Sequence, residues 1–265
     1  MTASDLQPET MPELFYGSEE RLKWDDDLTA GLCRSRYRNV GRRVGPSLDN
    51  EQFRQKSAGF DFCSTRPLAE LLPWIIARLE QGIVQLTHPR YFALFNPAPT
   101  FPPGGAECIV ATFNPQLASA VTSPIPPEIE AHGIRSVAGR PAFPQRATGH
   151  CRTGGTDANQ TASVCALTKA NPAYADDGMH AFRKGPAIYV SEEVHLAWLK
   201  LARQVGLDHS AVRVVAADDQ GRKEVTALVA TIEADRSTGC ASIVIVGTAG
   251  TTGAGMIDPF ARIAA

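Results

Sequence analysis

Thr153-Gly154-Gly155-Thr156-Asp157-Ala158-Asn159 is the stretch on which the reading of the fold turns. Two glycines followed by Thr and Asp read as a loop passing into a helix. Ala162, Val164, Cys165, Ala166, Leu167 and Ala170 then give that helix a small apolar face. Glycine lets a ligand approach the backbone closely. A helix start offers unpaired N–H groups and the positive end of the helix dipole. Together these make an anion site, most often one for phosphate. A plain N-cap carries the same pattern, so the flanking sequence has to decide.

Downstream, short apolar runs alternate with helical patterns. Ala187–Ser191 (AIYVS), Val212–Ala216 (VRVVA) and Ile243–Gly247 (IVIVG) are strand candidates. Val194–Val205 and Glu224–Ala234 are helix candidates, and Asp258-Pro259 caps a further helix over Phe260 to Ala265. Strand–helix–strand with short loops predicts a parallel sheet covered by helices, with right-handed crossovers. Ligands of such sheets sit beyond the carboxyl ends of the strands. Two further features fall there. Ser191-Glu192-Glu193-Val194-His195 follows the first strand. Thr248-Ala249-Gly250-Thr251-Thr252-Gly253-Ala254-Gly255 follows the third. The latter is polar but uncharged and suits a phosphate, an aromatic ring or a flexible linker. A lone histidine is usually a satisfied surface or core residue, but the place of His195 just after a strand favours a functional role.

Upstream, the sequence is more irregular. Glu19 to Leu32 holds one amphipathic helix with Leu22, Trp24, Leu28 and Leu32 as its apolar positions, and the arginine-rich run Arg34 to Arg43 reads as a solvated, mobile segment. Ser64-Thr65-Arg66-Pro67 starts a helix that runs through Leu68, Leu71, Leu72, Ile75, Ile76 and Leu79 to Gly82. Residues 86–103 are aromatic and studded with proline, which excludes a helix or central strand. They form either a buried connector or the wall of a pocket. A helix over Gly105 to Ala120 is broken by Asn114-Pro115. Another starts near Pro126-Pro127-Glu128, where Glu128 and Glu130 suit a helix N-terminus, and ends near Gly139.

The chain has 265 residues, 43% of them hydrophobic and 20% charged, with a net charge of −2. This is a globular balance that gives no reason to expect nucleic acid or an anionic membrane as partner. There is no apolar run of membrane-spanning length and no secretory signal pattern. The cysteines (33, 63, 108, 151, 165 and 240) are scattered without a C-x-x-C, so reduced thiols in a cytoplasmic protein are expected, and no metal site.

These features, in this order, resemble the group II pyridoxal-phosphate-dependent decarboxylases, relatives of aromatic-L-amino-acid and glutamate decarboxylases. The resemblance rests on His88-Pro89-Arg90-Tyr91-Phe92 with Asn96-Pro97, Asn114-Pro115-Gln116, and Ser123-Pro124 before Glu128-x-Glu130. It continues through the Gly-Gly-Thr-Asp-Ala-Asn turn and Tyr189-Val190-Ser191 with His195. It closes with Asp218…Gly221 and the Thr248–Gly253 loop ahead of Asp258. It implies an α/β fold of fold-type I, the aminotransferase-like fold. The expected organisation is a polar, partly mobile arm over 1–63, a helical segment with the aromatic loop over 64–140, and the first part of the cofactor domain over 141–265. It implies pyridoxal phosphate as cofactor, a homodimer and an L-amino-acid substrate, which the aromatic loop mildly suggests to be aromatic or apolar.

The resemblance also implies roles. Gly154, Gly155 and Thr156 hold the phosphate, His195 stacks on the pyridine ring, Thr248 or Thr251 lies close to ring or phosphate, and Phe95, Asn96 and Pro97 face the substrate. The family's Schiff-base lysine, in a His-Lys pair, and the aspartate for the pyridine nitrogen are expected downstream of residue 265. Lys23, Lys56, Lys169, Lys184, Lys200 and Lys223 do not follow a histidine, and none is assigned that role. The chain is thus expected to be incomplete and, alone, to have little activity. Cys151-Arg152 departs from the family's aromatic or small approach to the turn. An aldehyde-forming lyase, an aminotransferase and a non-catalytic truncated product stay open as alternatives.

Overall fold

The computed structural model describes residues 18–37, 41–60, 66–92, 100–117, 119, 121–139, 144 and 147–265. The start of the arm, the Ser64-Thr65 cap and the expected substrate residues Phe95, Asn96 and Pro97 lie outside them. The chain divides into two compact units, Met1–Ile109 and Val110–Ala265.

In the first unit, α1 (Ser18–Tyr37) packs against α3 (Leu68–Gly82), with α2 (Asn50–Ser57) between them in sequence. Gly31 sits at the close approach: a Cβ there would stand 3.2 Å from the Ile76 side chain. Two expectations are corrected. Arg34 to Tyr37 are helical rather than a mobile segment. Arg42 is half-buried, its guanidinium 2.6 Å from Glu80 of α3 and 3.0 Å from the Ser35 carbonyl. A long apolar stem lets an arginine lie on a neighbouring helix while its head finds a carboxylate. The short α2 is an addition to the sequence reading. Its capping box has Asp49 accepting from the Gln52 N–H at 2.8 Å, and Gln52 accepting from the Asp49 N–H at 3.2 Å. Trp74 of α3 meets Phe60 edge-on at 4.7 Å.

α4 (Phe101–Phe113) begins before the expected Gly105, because Pro102 and Pro103 fit a first turn whose N–H groups need no partner. It stops at Asn114, which has a positive φ of 39° and precedes Pro115. α5 (Ile125–Ala138) follows with prolines in its first turn, as the sequence indicates.

The second unit is organised by three parallel strands, β1 (Ala187–Ser191), β2 (Val212–Val215) and β3 (Ser242–Ile245), in the order β2-β1-β3. Central β1 is buried along its whole length. Its alternate residues feed two cores. Ile188 and Val190 face Leu167 of α6 (Gly155–Ala170) and Trp198, Leu201 and Ala202 of α8 (Ala197–Gln204). Ala187 and Tyr189 face Leu228 of α9 (Val225–Ser237) and Ile263 of α10 (Phe260–Ile263) on the other side. The result is helices on both faces of a parallel sheet. Between α6 and β1 lie α7 (Tyr174–Asp177) and a 3₁₀ turn over Gly178–Ala181. Gly247, at the exit of β3, lies against Phe260: a Cβ at 247 would stand 2.5 Å from the ring.

A polar network is buried under the second core. The Tyr189 hydroxyl donates to Asp235 at 2.8 Å and lies 2.9 Å from Ser242 Oγ. Arg213 donates to both Asp235 oxygens at 2.8 to 3.1 Å. The Arg213 hydrogen bonds hold the Asp235 carboxyl below its ordinary range. Burial, with the neighbouring carboxylate adding to it, pushes the Tyr189 phenol up to about 12.

Candidate cofactor site at the carboxyl edge of the sheet

The strand order places a switch point beside β1. From β1 the chain crosses through α8 to β2 on one side. From β2 it crosses through α9, on the opposite face, to β3 on the other side of β1. The loops leaving β1 and β3 therefore diverge at the carboxyl edge, the place where ligands of such sheets bind. His195 lies in the first of these loops, and Thr248 and Thr251 in the second.

α6 packs against α8 and β3. Its C-terminal end leads through Asn171, whose side-chain amide donates to the Ala181 carbonyl at 2.7 Å, to Met179. The Met179 side chain lies 3.0 Å from where a Cβ of Gly206 would stand, just past the C-terminus of α8. The C-terminal ends of α6 and α8 thus lie near each other. α8 starts just after the carboxyl end of β1.

The turn fits an anion. Ala158 N–H bonds back to the Gly154 carbonyl at 3.0 Å, and no side chain caps Gly154. The N–H groups of Gly155, Thr156 and Asp157 precede the first intrahelical donor and have no acceptor among the described residues. A Cβ on Gly154 or Gly155 would meet nothing within 4 Å, so the space over these amides is open. Gly154 has φ 171°, an extended conformation open to any residue, so its role there is clearance. Arg152 Nη2 bonds Asp157 at 2.6 Å and Thr153 donates to the same carboxylate at 3.2 Å. The Arg152 hydrogen bond lowers the Asp157 pKa. The guanidinium thus offsets the one negative charge in the first turn. The approach is held by Glu130 of α5, which accepts the Cys151 N–H at 2.5 Å. Sequence reading gave Glu130 only a helix-terminal role.

His195 is exposed, and its Nδ1 accepts the Ala197 N–H at 3.2 Å, which sets the imidazole at the head of α8. Glu192 accepts the Ala217 N–H at 2.9 Å and so links the exits of β1 and β2. Thr251 is buried, and its hydroxyl accepts the Met256 N–H at 3.1 Å inside the loop. The hydroxyls of Thr248 and of exposed Thr252 make no protein hydrogen bond among the described residues. No hydrogen bond among the described residues joins the Gly154–Thr156 turn, His195 and Thr248 to one another. Sequence reading missed the root of the third loop. Asp258 is 3% exposed and accepts the Thr248 N–H at 2.9 Å and the Lys223 N–H at 2.8 Å. Buried Lys223 donates to the Val246 carbonyl.

The pyridoxal-dependent decarboxylase conserved domain matches residues 65–265. The chain belongs to this family. L-2,4-diaminobutyrate decarboxylase of Rhizobium meliloti (strain 1021) is 31% identical over 186 residues, 70% of this chain and 36% of that protein. Aromatic-L-amino-acid decarboxylase of Bacillus atrophaeus is 26% identical over 196 residues, 74% of this chain and 39% of that protein. The chain thus spans well under half the length of these relatives. Among solved structures, mouse CSAD in apo form superposes with a TM-score of 0.85 at 21% identity, over 94% of this chain and 52% of that one. The fold is therefore the fold-type I α/β fold implied by the resemblance, and the family's cofactor is pyridoxal phosphate. Among the described residues no helix is long and apolar enough to cross a membrane.

Proposed function

We propose that this chain forms the phosphate-gripping and ring-covering part of a pyridoxal-phosphate-dependent carboxy-lyase acting on L-amino acids. The observation that supports the reading is the open, uncapped amides at the start of α6, a helix packed against α8 and β3, beside whose ends in sequence stand His195 and Thr248. The N–H groups of Gly155 and Thr156, with the Thr156 hydroxyl, hold the phosphate. The flat ring of His195, oriented by the Ala197 N–H, covers one face of the pyridine. Thr248 lies by ring or phosphate, while Thr251 shapes the loop. When bound, the cofactor supplies the electron sink for the pair released as carbon dioxide leaves. The protein's part here is to fix the cofactor's position and keep one face of it from water.

On this reading residues 141–265 are the first part of the cofactor domain, and the working enzyme is a cytoplasmic homodimer. Cys33, Cys151, Cys165 and Cys240 are free thiols among the described residues, in keeping with a reducing compartment. The relatives named for diaminobutyrate and for aromatic amino acids support an amino-acid substrate of either kind. None of the six lysines is assigned the Schiff-base role. Lys23, Lys56, Lys169, Lys184 and Lys200 are exposed on the surface, and Lys223 is engaged with the Val246 carbonyl.

Fluorescence titration with pyridoxal phosphate tests the site. His195→Ala is expected to weaken binding about tenfold, roughly 1.4 kcal/mol, whereas His195→Phe keeps most of it by presenting another flat ring. Borohydride fixation followed by peptide mapping should label no single lysine stoichiometrically. Equal affinity of wild type and His195→Ala, or one fully labelled lysine, contradicts these assignments.

A further inference from the structure

We infer that Lys223 is a positioning residue whose ammonium, by holding the Val246 carbonyl, fixes the exit of β3 from which the Asp258-clipped threonine loop presents Thr248 and Thr252 to the cofactor edge. The inference rests on the cofactor reading above.

Lys223 stands just before α9, in the sequence Gly221-Arg222-Lys223-Glu224, yet its side chain is only 1% exposed. It touches three exits at once. Its backbone pairs with Ala217 after β2. Its ammonium donates to the carbonyl of Val246 after β3. Its N–H donates to Asp258, at the far root of the 247–257 loop, at 2.8 Å. The other Asp258 oxygen takes the Thr248 N–H at 2.9 Å, and the Asp258 N–H returns a bond of 2.9 Å to the Thr248 carbonyl. Above this clip the loop folds on itself. Ala249 bridges Ile257, and Gly250 and Thr251 both donate to the Met256 carbonyl, at 3.1 and 2.9 Å. Thr251 is turned inward, so Thr248 and Thr252 carry the hydroxyls left to meet a ligand.

A buried ammonium is a costly way to fill space. An apolar chain of the same length would serve packing alone. What the ammonium adds is a directed bond to Val246, which holds the strand exit while Asp258 holds the loop's two roots. Burial lowers the Lys223 pKa, and the Asp258 charge acts against that shift.

The test is Lys223→Met, which keeps the apolar length and removes the donor, read by hydrogen exchange of the 247–257 segment and by pyridoxal phosphate titration. Amides of that segment should exchange at least about tenfold faster and affinity should fall about tenfold, with β1 amides unchanged. Unchanged loop exchange, or equal acceleration in the loop and β1, overturns the clip. Should Lys223→Met not fold, Asp258→Asn decides by the same two readings. A wild-type chain that binds no pyridoxal phosphate refutes the cofactor reading, and the exchange measurement alone then decides the clip.

Discussion

An Asp235→Ala chain is expected to be less stable to urea by about 3 kcal/mol at neutral pH. Asp235 is 9% exposed and ties together three elements: Tyr189 on the central strand, Arg213 on β2 and its own helix α9. Its removal leaves the Arg213 guanidinium without its carboxylate in a partly buried place, and the Tyr189 hydroxyl with Ser242 alone. An unpaired buried charge costs more than the pair contributed. Asp235→Asn, which keeps the shape and one acceptor, should lose about half as much. The pH dependence has a definite sign. The Asp235 pKa is lowered in the fold, so its contribution is complete above the unfolded value of 3.8 and disappears as pH falls through the lowered folded value. The Tyr189 pKa is raised, so its contribution is complete below 10 and is lost as pH rises towards about 12. Asp235→Ala should therefore flatten the acid limb of the stability profile. A urea midpoint shift equivalent to less than about 1 kcal/mol would show the network to be incidental.

Gly155→Asp should separate ligand binding from stability with opposite signs. A carboxylate at the first position of α6 interacts favourably with the helix dipole, so the fold should gain a few tenths of a kcal/mol. The same carboxylate lies over the open amides and repels an incoming phosphate. Affinity for pyridoxal phosphate, and for inorganic phosphate, is expected to fall about 100-fold, roughly 2.7 kcal/mol. Gly155→Ala is the control, since its Cβ would meet nothing within 4 Å and adds no charge. Parallel thermal melts and titrations of the two variants measure both effects. Equal phosphate affinity in Gly155→Asp and the wild type would remove the turn from the site.

Much of the frame was readable from the chain because its signals are local. AIYVS, VRVV and IVIV carry β-branched runs that no helix favours, and all three became strands within a residue or two of the expected ends. The Gly154-Gly155 turn became a helix start for the same reason. The rest depended on tertiary partners. Lys223, between an arginine and a glutamate, reads as one more solvated charge; only the folding of β3 and Asp258 against it makes it a buried donor. Arg42 likewise looks solvated until α3 brings Glu80 to it. Glu130 suits a helix terminus by sequence, while its bond to the Cys151 N–H joins residues far apart along the chain. The Thr251 hydroxyl could not be told from that of Thr248 without the loop's internal hydrogen bonds. The short α2 was legible in principle from the Asp49-x-x-Gln52 spacing, a weak signal in a polar segment.

The contact of Gly247 with Phe260 has a hereditary consequence. Two positions claim one volume, so a lineage can enlarge residue 247 only after shrinking residue 260 or turning its ring outward. Natural variants at these sites should therefore change as a pair, and a lone methyl at 247 would be felt first as a displaced α10.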